Sequence, residues 1–262
     1  MKNEYDLICS LGGNCAAAHN LLYRNLRKYS LPFDWCYIKS EQPIKYLCEG
    51  FENNFKNFFL KENLVELTGE EYNHAHNCMG QYKDTYSGYY FVNHFMHGET
   101  PDTAYDKVHT KLTRRLTRLQ EKIKNGKNIL FILSTCIEVD TDVVIELKRK
   151  LQELYTDKNF EFVIISFNCK NDEEYISDDT IYVKKYKRAT NSYDFNVTNY
   201  EWNFLDNIKL NEPKNEKNIF KISKIKKGFK ISILNFISTV FSIKLYLFGI
   251  RFNFCIGKEK NE

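Results

Sequence analysis

The stretch from residue 5 to residue 15, YDLICSLGGNC, decides the fold of this chain. Residues 5–11 form a short apolar run, which is typical of a buried strand, and Gly12-Gly13 closes it. Asn14 is a residue type that often caps helices, and the segment from Cys15 to Lys28 has helical character. We therefore predict a strand, a glycine turn and a helix that begins at Cys15.

The rest of the region from residue 1 to residue 212 continues this alternation. Apolar periodicity predicts three further helices, over Ser40–Leu60 with a break at Gly50, over Thr100–Asn125 and over Asp142–Tyr155. Short apolar runs predict three further strands, at Asn128–Leu133, Phe160–Phe167 and Ile181–Lys185. We expect Ser30–Tyr37 to be extended because Pro32 disfavours helix at the preceding residue, and Asn63–His97 to form irregular strands and loops.

This alternation predicts an α/β fold with a mostly parallel, doubly wound (Rossmann-like) sheet and helices on both faces. Ligands of such sheets bind beyond the carboxyl ends of the strands. The Gly12–Cys15 turn and the segments 134–136 and 166–168 are expected along that edge.

The segment from residue 213 to residue 262 differs from the rest and is predicted to be a basic amphipathic tail. Residues 214–262 carry a net charge of +8 while the whole chain carries +4, so residues 1–213 carry −4. Lysines followed by aromatic and aliphatic residues favour contact with an anionic membrane surface through residues 214–257. The alternative is a terminal helix packed on the domain, since burial leaves the same amphipathic pattern. Nucleic acid is not an expected partner.

The eight cysteines include no Cys-x-x-Cys pair, and no apolar stretch precedes the first strand. We therefore expect reduced thiols in a cytoplasmic protein, with the tail on the inner face of the membrane. No cofactor motif is complete, because the glycines match neither the dinucleotide pattern nor the P-loop.

Cys15 is the first candidate for chemistry. The unpaired amides and the dipole at a helix N-terminus favour a thiolate, so we expect the pKa of this thiol to fall. Gly12, Gly13 and Asn14 form the turn, whose backbone amides can point at a developing oxyanion. The alternative is a small buried cysteine at a tight turn.

A thiol nucleophile needs a base and a group that orients the base. We prefer His94 to His19, because His19 lies on the same helix as Cys15. Asp34, a charge among large apolar residues, is the predicted orienting carboxylate. Its alternative role is an ion pair with one of three arginines: Arg27, Arg115 or Arg118.

Three further residues are predicted to contact the substrate, namely Ser134, Trp35 and Arg115. Arg115 belongs to a basic helix segment that could bind a phosphate or carboxylate, although such segments more often form a solvated face. His74, His76 and Cys78 would share one face of a strand and are zinc-ligand types. Because no second cluster accompanies them, we expect no metal.

Two motifs together resemble a known family. The family named "Putative papain-like cysteine peptidase" has similar motifs in the same order. In this chain they are SLGGNC at residues 10–15 and SLPFDW at residues 30–35, followed by His94-Phe95 and Arg114-Arg115. The resemblance covers roughly residues 5–170. It implies that Cys15 is the nucleophile and His94 the base.

Three functions follow from these observations. The first is a thiol-dependent hydrolase or acyl transferase that uses Cys15 and His94. The second is a transferase that acts on nucleotide-linked or lipid-linked sugars in surface glycan synthesis, suggested by the sheet edge and the basic tail. The third is a non-catalytic binding module in which Cys15 and Asp34 only hold the turn together.

Overall fold

The structure is a computed structural model of the 262-residue chain. It describes residues 1–69, 79–187 and 200–211, and the backbone of residues 219–225, 228–234, 241–247 and 250–256. The chain divides into two compact units, Met1–Asn211 and Glu212–Glu262. In the second unit the described backbone forms two antiparallel hairpins, each built from two seven-residue strands.

Among the described residues, the first unit contains three sheets, of five, four and two strands, and all four α-helices. Its strands are β1 (Glu4–Tyr5), β2 (Leu7–Ser10), β3 (Cys36–Tyr37), β4 (Leu64–Glu66), β5 (Gly80–Asp84), β6 (Tyr90–Phe95), β7 (Asn128–Thr135), β8 (Asn159–Phe167), β9 (Glu173–Asp178), β10 (Ile181–Tyr186) and β11 (Lys209–Leu210). Its helices are α1 (Ala16–Tyr23), α2 (Gln42–Glu52), α3 (Pro101–Asn125) and α4 (Thr141–Leu154), with 3-10 helices at Lys61–Asn63 and Tyr200–Asn207. The two-stranded sheet pairs β1 with β11.

The central sheet has the strand order β2-β7-β8-β10-β9. The first four strands are parallel, and β9 pairs antiparallel with β10 at the edge. The prediction of a mixed α/β fold with a mostly parallel sheet is confirmed. Strands β2, β7 and β8 are mostly apolar and buried, as expected of strands covered on both faces.

Side chains of β7 alternate between two cores on opposite faces of this sheet. Ile129, Phe131 and Leu133 belong to a core that includes residues of α2, α3 and α4. Leu130 and Ile132 belong to a second core, together with residues of α1 and of the 3-10 helix at Tyr200–Asn207. Each fully buried aliphatic or aromatic side chain contributes about 1.5–3 kcal/mol, so both cores stabilise the sheet.

A second, four-stranded antiparallel sheet has the order β3-β6-β5-β4. The described part of Asn63–His97 contains irregular strands and loops, as predicted, but the pairing of these strands into one sheet was not foreseen. A bulge between β5 and β6 interrupts the alternation that would have revealed the pairing.

Three predicted elements differ in detail. The segment Ser30–Tyr37 is not extended throughout, because Cys36 N–H donates to the Phe33 carbonyl and closes a turn. Helix α1 ends at Tyr23, because Asn25 adopts a left-handed conformation with φ of 58°. Helix α2 continues through Gly50, where a Cβ atom would lie 2.6 Å from the ring of Phe55.

Candidate functional site at the first strand-to-helix turn

The turn between β2 and α1 is built around two glycines with positive φ angles, 87° at Gly12 and 93° at Gly13. A Cβ atom on Gly13 would lie 2.1 Å from the Ser134 carbonyl oxygen at the end of β7. Only glycine fits this close approach, because it has no Cβ and tolerates left-handed backbone. The two glycines therefore bring the turn directly against the carboxyl end of β7.

The N-cap of α1 is Cys15 and not Asn14, which was the predicted cap, but the Asn14 side chain still bonds to the first residue of the helix. The Asn14 side-chain oxygen accepts a hydrogen bond from the Ala16 amide at 3.0 Å. The Cys15 carbonyl then accepts the first bond of the helix, from the His19 amide at 3.0 Å. Cys15 is thus held at the N-terminal end of α1.

The thiol of Cys15 is buried, with 1% of the residue exposed, and its hydrogen-bond partner is the Tyr37 hydroxyl, 3.1 Å from Sγ. Burial raises the pKa of the Cys15 thiol, and Cys136 raises it further. The Tyr37 hydrogen bond and the Cys15 amide lower the pKa, but by less than burial raises it. The expectation of a lowered pKa was therefore wrong for this conformation, because desolvation outweighs the helix terminus.

Tyr37 was not recognised from the sequence as a site residue. It lies in β3, and a backbone bridge with Gly13 brings the two segments together, with the Ile38 amide 3.4 Å from the Gly13 carbonyl. Nothing in the spacing of Cys15 and Tyr37 indicates this pairing, because it depends on how the second sheet packs against the turn.

His94 lies on β6 and is buried, with 3% exposed. Neither ring nitrogen has a hydrogen-bond partner among the described residues, so the predicted bond between His94 and Cys15 is not formed. Burial lowers the pKa of His94 well below its ordinary value, and the charges of Lys111 and Arg115 lower it further. The ring packs edge-on against Phe91, with the centroids 5.1 Å apart.

Asp34 is fully buried and pairs with Arg27, while its Oδ2 also accepts the Leu31 amide at 2.8 Å. Asp34 does not orient His94, because no described residue bonds to the His94 ring. The alternative role of Asp34, an ion pair with Arg27, is the one that the structure shows. Burial raises the pKa of Asp34, although Arg27 and the Leu31 amide act in the opposite direction.

The three predicted substrate contacts lie in two places. Ser134 is buried beside the turn, where its amide donates to the Gly12 carbonyl at 3.4 Å. Trp35 is half-buried, with the Arg27 guanidinium 5.6 Å from its ring centroid. Arg115 is half-buried on α3, and its charge acts on Asp34, Cys36 and His94 and not on Cys15.

His74, His76 and Cys78 lie outside the described residues. In the part of the chain that the structure describes, no three histidine, cysteine or acidic side chains are grouped as metal ligands would be. The same part contains no helix with the length and apolar character needed to cross a bilayer.

The fold and the turn define an α/β protein with a cysteine at the N-terminal end of the helix that follows the first sheet strand. Residues 6–172 match the family described as "Putative papain-like cysteine peptidase", and the chain belongs to this family. An uncharacterized protein of Acanthamoeba polyphaga mimivirus is 29% identical over 143 residues, which cover 50% of this chain and 62% of the viral protein. No solved structure matches the chain.

Proposed function

We propose that this protein is a thiol-dependent hydrolase or acyl transferase in which Cys15 is the nucleophile. One observation carries the proposal, namely a cysteine at the start of α1 whose Sγ lies 3.1 Å from a tyrosine hydroxyl. Membership of a family described as a cysteine peptidase supports the same chemistry.

The proposed reaction has two steps. The Cys15 thiol gives up its proton through the Tyr37 hydroxyl and its sulfur attacks a carbonyl carbon, which forms a thioester as the bond to the leaving group breaks. The leaving group takes the proton. Water or another acceptor then cleaves the thioester and the thiol is restored.

The backbone of the turn supplies the proposed oxyanion donors. Because the Ala16 amide already donates to Asn14, the amides of Asn14 and Cys15 are the donors we assign. Gly12 and Gly13 serve by allowing the tight turn, and Ser134 lies next to it. An amide that points at a developing oxyanion stabilises charge that exists only in the transition state.

His94 and Asp34 take different roles from those first predicted. Proton transfer is assigned to Tyr37, because the imidazole of His94 forms no bond with the thiol. Asp34 is assigned a positioning role, because it accepts from Leu31 and Arg27 and so fixes the turn that leads into Tyr37. In the proposed doubly wound sheet, both segments meet at the carboxyl edge of the strands.

The burial of Cys15 sets a condition for this chemistry. A substrate reaches the Cys15 sulfur only if the residues that bury it move aside. The thiolate then forms more readily, because burial is the main cause of the raised pKa of Cys15 and hydration reverses it. Substrate binding and activation of the nucleophile are therefore coupled in the proposal.

Hydrolysis of p-nitrophenyl acetate tests the assignment. Cys15→Ala is expected to lower the rate on the order of a hundredfold or more, because the nucleophile is removed. Cys136→Ala is the matched control, since Cys136 acts on the pKa of Cys15 but is exposed. Equal rates for Cys15→Ala and the wild type would exclude the proposal.

A non-catalytic binding role is the second candidate, and the buried thiol with a raised pKa favours it. In that case Cys15 is a core residue of the turn, and Cys15→Ala reduces stability without removing a function. Full biological activity of Cys15→Ala, together with no esterase activity of the wild type, is the result expected for this role.

For the tail, the net charge of residues 214–262 supports our proposal that it binds an anionic membrane surface. Co-sedimentation with vesicles of phosphatidylserine and phosphatidylcholine, compared with vesicles of phosphatidylcholine alone, tests it. The proposal requires preferential binding to the anionic vesicles that weakens as salt is added.

A further inference from the structure

A group of basic side chains lies between β6 and α3, away from Cys15. We call it the basic cluster, and it consists of His94, Lys111 and Arg115. Lys111 and Arg115 are one helical turn apart on α3, which packs against β6, where His94 is located. The two cations act electrostatically on the imidazole, which places the three groups together.

The basic cluster has hydrogen-bonding capacity that the described residues do not use. Both ring nitrogens of His94 and the Nη1 atom of Arg115 are buried without a partner. Within the described part of the chain neither Lys111 nor Arg115 forms an ion pair. Buried polar groups in folded proteins nearly always have partners, so an acceptor is expected at this place.

Two acidic residues act electrostatically on the cations of the basic cluster, Asp34 on Arg115 and Glu99 on Lys111, but each of them is hydrogen-bonded to another cation. Glu99 pairs with Lys107 at 2.6 Å and accepts the Met96 amide, while Asp34 pairs with Arg27. The basic cluster therefore retains about two positive charges from Lys111 and Arg115, with His94 neutral at pH 7 because its pKa is lowered. Lys111 and Arg115 are half-buried, whereas the His94 ring nitrogens and Arg115 Nη1 are buried, so a ligand that bonds to these atoms must displace the residues that cover them.

We infer that the basic cluster is a binding site for the phosphate group of a ligand. A phosphate dianion matches the two positive charges of Lys111 and Arg115, and its oxygens accept from the planar guanidinium and from one imidazole N–H. A carboxylate carries only one charge and has two oxygens, so it leaves part of the cluster unsatisfied. The inference does not depend on the nucleophilic role of Cys15.

Calorimetric titration of the full chain with inorganic phosphate at pH 7.5 tests the inference, with chloride used to hold the ionic strength constant. Saturable binding of one phosphate per chain is expected. Sulfate is expected to compete with phosphate, and acetate to bind about tenfold or more weakly because it has one charge.

Two variants locate the site. Arg115→Ala is expected to weaken phosphate binding about tenfold or more, while Arg114→Ala, which removes the same charge from an exposed neighbour, is expected to change it less than about twofold. Arg115→Lys keeps the charge but lacks the planar donors, and it is expected to bind with intermediate affinity.

The inference is overturned if wild-type protein binds phosphate no better than chloride. It is also overturned if Arg114→Ala and Arg115→Ala lose the same affinity, since binding would then reflect the charge of the helix face alone. If Arg115→Ala does not fold, the phosphate affinity of Arg115→Lys compared with that of the wild type still tests the inference. Loss of esterase activity in Cys15→Ala with unchanged phosphate binding would separate the two proposals.

Discussion

The turn at Gly12–Cys15 and the basic cluster between β6 and α3 belong to the same unit but differ in how their polar groups are satisfied. In the turn, the Asn14 side chain accepts a hydrogen bond from the Ala16 amide and the Cys15 thiol lies against the Tyr37 hydroxyl. In the basic cluster, the His94 nitrogens and an Arg115 nitrogen are buried without partners among the described residues. The thiol of the turn thus has a hydrogen-bond partner within the protein, whereas the basic cluster contains polar atoms that no described residue satisfies.

This difference separates the burial of a reactive residue from the presence of unsatisfied donors at a binding site. A reactive residue can be buried and fully bonded in the resting protein, so that its reactivity depends on displacement of what covers it. A binding site instead retains donors that only a ligand satisfies, at a cost to the stability of the unbound protein. The following substitutions test each half of the comparison.

The largest expected effect is on the turn itself. Gly13→Ala places a Cβ atom 2.1 Å from a carbonyl oxygen and forces alanine into a φ of 93°. We expect the free energy of unfolding to fall by about 4 kcal/mol in urea denaturation. Gly69→Ala, where φ is 56° and no atom of the described residues lies within 4 Å, should cost only about 1 kcal/mol. Equal losses for the two variants would show that contact with β7 is unimportant.

The next effect concerns the buried ion pair that supports the segment leading into Tyr37. Arg27→Ala leaves the Asp34 carboxylate buried without its partner, so we expect a loss of about 3 kcal/mol in the free energy of unfolding at pH 7. Lys107→Ala removes the partner of Glu99 from an exposed pair and is expected to change stability little. A small loss of unfolding free energy in Arg27→Ala would show that the Arg27–Asp34 ion pair does not stabilise the segment that leads into Tyr37.

A pH-dependent change in stability tests whether His94 in the basic cluster is buried in its neutral form. His94 is neutral in the folded protein, whereas in the unfolded chain its pKa is about 6.5. Protons therefore bind preferentially to the unfolded state as pH falls below about 6.5, and stability declines by up to about 1.4 kcal/mol per pH unit until the lower folded pKa is reached.

His94→Leu removes this contribution and two unpartnered nitrogens. We expect the variant to match or exceed the wild type at pH 7.5 and to lose less stability between pH 6.5 and pH 5, measured by urea denaturation without phosphate. Histidines elsewhere titrate alike in both proteins, so only the difference between the two curves is used. Parallel curves would mean that His94 is not buried in neutral form.

The smallest effect concerns the thiol. Tyr37→Phe removes the hydrogen bond that lowers the Cys15 pKa, so alkylation of Cys15 by iodoacetamide at pH 8 is expected to slow about tenfold. Peptide mapping reports the labelling of Cys15 relative to the exposed Cys136 in the same sample. An unchanged ratio would show that Tyr37 does not affect the sulfur.

The sequence predicts four of the five strands of the central sheet, because β2, β7 and β8 are mostly apolar runs and β10 begins with one. The edge strand β9 is polar and exposed and was not predicted. The sequence also predicts the turn, since Gly12, Gly13 and Asn14 have residue-specific backbone requirements that act locally. The second sheet was missed because its strands pair across a bulge and lack clean alternation. Its absence from the prediction also removed Tyr37 from the candidate site.

The pairing of side chains is harder to predict than their presence. Cys15, His94 and Asp34 were all identified, and the three are buried in the structure. The partner of Cys15 depends on how the second sheet packs against the turn, which no local pattern specifies, whereas Asp34 pairs with Arg27, one of the three arginines proposed for it. The raised pKa of Cys15 was missed for the same reason, because a helix N-terminus can be inferred from sequence whereas the degree of burial cannot.

Peptide mapping of the acyl intermediate tests the central proposal most directly. Wild-type protein is mixed with p-nitrophenyl acetate, quenched in acid within the first turnover and analysed by mass spectrometry. We predict an acetyl group on Cys15 that appears and decays at the rate of turnover. Acetylation confined to Cys136 and surface lysines, with Cys15 unmodified while hydrolysis proceeds, would contradict the assignment of Cys15 as the nucleophile.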